Sequence, residues 1–135
     1  MTPNSRNTDL ALMLLRIVVG VVFLMHGYQK YFVMGIPGVE GFFTHVGAPA
    51  PQITAYVVAT VELVCGALLI LGAFTRLVVV PLVIDIATAI ALVHIHNGFF
   101  VPMGVEFAMT LMTAGIVLAL AGGGVASVDR MLRRS

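Results

Sequence analysis

Four long apolar stretches, at about 10–32, 52–73, 77–96 and 105–122, divide the 135-residue chain. At about 1.5 Å per residue, helices of this length reach across or close to the roughly 30 Å of a bilayer's hydrocarbon core. Within the first stretch, Arg16, Gly20, Phe23, Gly27 and Lys30 recur at helical spacing and form one stripe. His26 lies about 80° off that stripe, near its outer end. The second stretch carries a matching stripe of Ala55, Ala59, Glu62, Gly66 and Leu69. Small residues on such stripes let neighbouring helices approach closely, so both are expected to face inward. In the third stretch Pro81 falls in the first turns, where a missing donor is best tolerated, and Asp85 lies near the middle. An α-helical period returns His96 to nearly the face of Asp85 and sends His94 the opposite way. Glu106, Thr110 and Thr113 share one face of the fourth. These patterns predict an all-α fold, a four-transmembrane-helix bundle forming one membrane domain over residues 1–135.

The breaks predict less regular structure. Residues 1–9 are polar, are expected to fray, and lack the features of a signal peptide. In 33–52, four glycines alternate with Pro37, Pro49 and Pro51. Pro37 suits a first helical turn, and Phe42 and Phe43 suit the membrane interface. The segment reads as an interfacial loop with one or two helical turns covering one mouth of the bundle. Thr75-Arg76 and Asn97–Gly104 read as turns, and the glycines at 122–124 as a frayed helix end before a basic tail.

Composition fixes the class. Apolar residues make up 60% of the chain and charged residues 10%, and mean hydropathy is +1.09. Soluble domains run at roughly 45–50% and ~25%, so an integral membrane protein is expected, with the lipid bilayer as its surroundings. A net charge of +1 with no basic run gives no sign of nucleic-acid binding. Cys65 is the single cysteine, which excludes an intrachain disulfide or a dithiol redox pair and suits a small packing residue. Arg6, Arg16, Arg76, Arg130, Arg133 and Arg134 fall on or near the side of the termini, and Lys30 on the other. The excess of positive charge places both termini in the cytoplasm.

Ionisable groups at bilayer depth carry the candidate chemistry. Counted from the inner helix ends, Arg16 lies about 9 Å deep, Asp85 about 13 Å and Glu62 about 16 Å. A buried ion cluster of Arg16, Glu62 and Asp85 is therefore expected, with Glu62 and Asp85 as proton-relay candidates. It serves equally to specify helix register. Toward the outer face, His26, Gln29, Lys30, His96 and Glu106, with His94 as a further member, form a second group. A rim of Phe42, Phe43, Phe99 and Phe100 would make it a ligand-binding end, though such groups also snorkel to the interface. No metal-ligand spacing, haem or flavin motif, nucleotide loop or nucleophile triad is evident.

The segments LLRIVVGVVFLMHGYQKYF, GFFTHVGAPAPQITAYVVATVELVCGALLILGAFTR and HIHNGFFVPMGVEFAMTLM together resemble the DoxX/DoxD-like family. The resemblance covers roughly residues 10–122. It rests on Arg16, His26-Gly27, Gln29-Lys30, Glu62, Thr75-Arg76, the Asn97–Phe100 turn and Glu106. It implies a small membrane subunit of the kind found in a thiosulfate:quinone oxidoreductase, and an association with redox and thiol-stress systems. A quinone is the ligand this implies, and a redox partner protein the natural associate, since the chain carries no cofactor motif of its own. The alternative is a noncatalytic membrane scaffold or small-molecule carrier that docks a partner, and a homo-oligomer fits either reading.

Overall fold

The computed structural model describes residues 3–133 of the chain. Among them, helix α1 spans Pro3–Tyr28 and continues through a π-helical turn, Gln29–Met34. Helix α2 covers Ile36–His45, α3 Pro51–Leu71 and α4 Thr75–Ala89. Past α4 the chain stays helical through a second π turn, Ile90–His94, and a 3-10 turn, Ile95–Asn97. Helix α5 spans Val105–Ala121, and a short α6 covers Val128–Leu132. Three of these helical stretches are long and apolar enough to cross a membrane, Ser5–Met34, Pro51–Leu71 and Thr75–Asn97; α5 is the shorter fourth member. The result is an all-helical membrane bundle.

The pairing of α1 with α3 is set by glycine. A β-carbon on Gly20 would stand 2.7 Å from Ile70, one on Gly27 2.5 Å from the Leu63 amide, and one on Gly66 2.6 Å from the Leu24 amide. Rising residue numbers on α1 meet falling numbers on α3, so the two helices run antiparallel in backbone contact. Lipid tails are as apolar as leucine, so this close packing, rather than exclusion of water, holds such a pair together. The stripe Ala55, Ala59, Glu62, Gly66 and Leu69 is the buried face of α3, as its spacing predicts. Helix α4 packs on α5, where Gly115 abuts Val83 and Val79. Val19, Phe23, Leu69, Val79, Leu82 and Leu118 fill the centre, with Cys65 packed against them.

Several expectations are corrected. The 33–52 segment holds a ten-residue helix, not one or two turns, seated on α3 through Ile36 and Val39 against Ala55 and Ala59. Pro37 sits in its first turn. The N-terminal polar segment is helical from Pro3 onward; residues 1 and 2 lie outside the described residues. For α5, whose inward face the sequence left open, the buried residues are Ala108, Leu111, Gly115 and Leu118. Thr110 and Thr113 point outward, each donating to the carbonyl four residues back, which satisfies a hydroxyl without burying it. Gly122–Gly124 is no frayed end. It turns the chain back beneath the bundle.

Candidate functional site

A cavity of about 480 Å³ opens beneath α2, walled by α1, α3, α4 and α5. Most of its surface is apolar, including Phe23, Phe42, Phe43, Phe107 and Leu111. Its polar groups come from one level of the bundle. Lys30 Nζ stands 2.7 Å from Glu62 Oε2, with the side chains only 16% and 6% exposed. Asp85 lines the same wall. His26 stacks on Phe107, ring centres 6.4 Å apart and 21° from parallel. His94 Nδ1 is 2.8 Å from the Met103 carbonyl. A carbonyl only accepts, so Nδ1 is the donor in this contact.

Both π turns border this cavity. Gln29 and Lys30 sit on the first, and Leu92, Val93 and His94 on the second. Such turns are rare and occur frequently at functional sites. Each takes up an extra residue and sets every later residue back by about one 100° step. This corrects the expected histidines. His94, opposite Asp85 in an unbroken α-helix, swings toward the cavity. His96 leaves that face and lies exposed on the 3-10 turn. Glu106 also falls outside the cavity lining. Its Oε1 accepts from the Val101 amide at 2.7 Å and braces the loop from Gly98. Phe99 and Phe100 pack edge to face on that loop, 50% and 77% exposed, so Phe107 takes the place in the rim that they were expected to hold.

The expected ion cluster is divided between the two ends of the bundle. Glu62 and Asp85 share a level, but the cation beside them is Lys30. Arg16 lies against Gly72, at the far end of α3, with 1% exposure, and Nη2 donates to the Ala126 carbonyl at 3.1 Å. The antiparallel register of α1 and α3 explains this: Gly27 faces Leu63, so Lys30 is the cation level with Glu62.

At the end where Arg16 lies, residues 122–132 form a strap beneath α1, α3 and α4. Asp129 caps α4, its Oδ1 accepting from the Phe74 amide at 2.6 Å and its Oδ2 from the Thr75 amide at 2.9 Å. Burial alone would push the Asp129 carboxyl up. Hydrogen bonds from Thr75 and Phe74, with the charge of Arg133, outweigh burial and hold it below the usual carboxylate range. Arg130 Nη1 pairs with Asp9 Oδ2 at 2.7 Å, and the Val125 amide donates to the Asp9 carbonyl.

With this geometry in view, comparison with known proteins gives the family. The family model described as DoxX matches residues 11–95. The chain belongs to the DoxX family. The match contains Lys30, Glu62, Asp85 and His94; Phe107 and the strap lie beyond it. Among curated DoxX-like relatives, the chain is 33% identical over 126 residues to "Putative oxidoreductase CatD" of Bacillus subtilis, covering 93% of this chain and 89% of that one. It is 35% identical over 134 residues to "Uncharacterized membrane protein Rv3486" of Mycobacterium tuberculosis, covering 89% and 80%. It is 32% identical over 125 residues to "Inner membrane protein YphA" of Escherichia coli, covering 88% of each. No solved structure matches the chain. In this DoxX-family bundle, His26, Gln29 and Lys30 of the expected outer group meet at the cavity with Glu62 and Asp85, while His96 and Glu106 do not. Phe107 was missed because a lone aromatic in an apolar helix carries no signal of its own.

Proposed function

We propose that the protein is the membrane subunit of a quinone-linked oxidoreductase or redox-stress system, holding a quinone or similar lipophilic ring in the cavity beneath α2. The Lys30–Glu62 ion pair on the wall of a mainly apolar cavity carries this reading. A ring bearing carbonyl oxygens needs flat apolar contact and a few well-placed donors. Phe42, Phe43 and Phe107 offer the first; Lys30, Gln29 and His26 offer the second. At about 480 Å³ the cavity falls within the roughly 300–1,000 Å³ usual for such ligands. A bound quinone supplies a two-electron acceptor whose reduction consumes two protons. Lys30 is placed to hydrogen-bond a carbonyl oxygen, and Glu62 and Asp85 to hold and deliver protons at a depth where bulk water is scarce. His94 is a further polar side chain on the same wall. Electrons would come from a redox partner protein. The oxidoreductase name of the Bacillus relative supports a redox setting, and the name of the Escherichia relative supports the inner membrane. Arg76, Arg130 and Arg133 gather at one end of the bundle with Lys30 at the other, which favours cytoplasmic termini.

The test is purification in mild detergent, with extraction of copurified lipid and its absorbance spectrum, followed by titration with a soluble quinone analogue. Lys30→Met and His26→Ala should each weaken binding. Wild-type affinity in both folded variants would refute the reading.

A further inference from the structure

We propose that the loop from Gly98 to Met103 lies in lipid at the acyl–headgroup boundary, and that the cavity beneath α2 opens sideways into the bilayer between α1 and α5. This rests on the reading of that cavity as a ligand site, and it makes the ligand one that arrives dissolved in the membrane. Length is the first observation. Helix α5 has 17 residues, about 26 Å at 1.5 Å each, against roughly 30 Å of hydrocarbon. The loop before it supplies the missing apolar length. Phe99, Phe100, Val101 and Met103 are 50%, 77%, 57% and 45% exposed, and residues 97–105 include no charged side chain.

The backbone of the loop suits that place. Irregular chain is costly in lipid unless the protein itself meets its polar groups. Here the Gly104 amide donates to the Phe100 carbonyl at 2.9 Å, Val105 to Gly98 at 3.0 Å and Glu106 to Phe99 at 2.9 Å. Glu106 Oε1 accepts from the Val101 amide, and His94 Nδ1 donates to the Met103 carbonyl. Pro102 has no amide to satisfy.

The same loop walls the cavity. Pro102 and Met103 line it beside Phe107, and Met103 and Phe107 are exposed as well as cavity-lining. A single layer of side chains therefore separates the cavity from lipid. The helix seams differ here too. Glycine brings α1 against α3, and Gly115 brings α5 against α4, but no glycine of α1 or α5 abuts the other of these two helices. Their seam is bridged at cavity level by side chains, His26 and Phe107, whose rings stand 6.4 Å apart. A rotamer change at an exposed ring opens it without moving a helix.

The chain has no tryptophan and a single cysteine, so two clean reporters can be built into the full-length protein in vesicles. Phe100→Trp reads depth. Lipids brominated near the headgroup end of the acyl chain should quench its fluorescence, and aqueous acrylamide should quench it severalfold less than a free tryptophan amide. Acrylamide quenching as strong as that of the free amide, or no effect of bromine, puts the loop outside lipid and overturns the proposal. Leu111→Cys in a Cys65→Ser background reads the entrance, since Leu111 lines the cavity and is 7% exposed. A maleimide with a long alkyl chain, delivered in the vesicles, should label it severalfold faster than a charged, membrane-impermeant maleimide. Adding Phe107→Ala should speed the lipid-borne reagent severalfold further. Faster labelling by the charged reagent, labelling by neither, or a rate indifferent to Phe107 overturns the sideways opening. Should Cys65→Ser not fold, Cys65 is kept and its own labelling subtracted. Neither reporter uses a quinone, so failure of the quinone titration and failure of this route are read separately.

Discussion

Lys30 Nζ, on the π turn that extends α1, contacts Glu62 Oε2 of α3 at 2.7 Å, with both side chains largely withdrawn from the surroundings. Breaking one side of a buried pair leaves the other charge uncompensated, at about 3–5 kcal/mol. Lys30→Met and Glu62→Leu should each lower the melting temperature sharply in detergent. The double variant should recover much of the loss. Additive losses would show that the two side chains do not act as a pair.

Helices α1 and α3 touch backbone to backbone at Gly66. In Gly66→Val, a β-carbon 2.6 Å from the Leu24 amide forces the helices apart. Overpacking of this kind costs about 1–3 kcal/mol or more. Gly41, which has open space around its β-carbon position, is the control. Gly41→Ala should melt like wild type, and equal melting of Gly66→Val would contradict the packing described.

Asp129 makes the strap pH-dependent. Its carboxyl titrates lower in the folded protein than in the unfolded chain, so its contribution is fully present above the ordinary carboxylate range. That contribution fades as pH falls through the depressed folded value. Asp129→Asn should therefore lower stability at neutral pH and narrow its gap from wild type in strong acid. A gap that stays constant down the acid range would rule out the cap.

Glu106 and His26 separate bracing from binding. Glu106→Gln should loosen the loop that its carboxylate holds at Val101, read as faster hydrogen exchange there, and leave quinone-analogue affinity intact. His26→Ala, which unstacks Phe107, should lower affinity with loop exchange unchanged. The reverse pattern would move the ligand site to the 98–106 loop.

Reporter fusions at residues 1 and 135 should both behave as cytoplasmic, and an insertion within 33–50 as external. A split between the termini would be incompatible with the proposed topology.

Periodicity determined which faces turn inward. The stripes Arg16–Gly20–Phe23–Gly27–Lys30 and Ala55–Ala59–Glu62–Gly66–Leu69 follow from a 3.6-residue repeat and from the small residues placed on it. Composition alone established that the bundle belongs in a membrane. Register was another matter. A stripe names a face but not its height against the neighbouring helix, so Glu62 was expected to meet Arg16, and the Gly27–Leu63 contact instead set it beside Lys30. Helical phase past Ala89 was equally hidden, because a π turn depends on what surrounds it and has no residue signature here. It exchanged His96 for His94 at the cavity. The strap was decided furthest from any local cue. Only the folded bundle brings Asp129 to the open N-terminus of α4, more than fifty residues earlier in the chain, where unpaired amides need an acceptor.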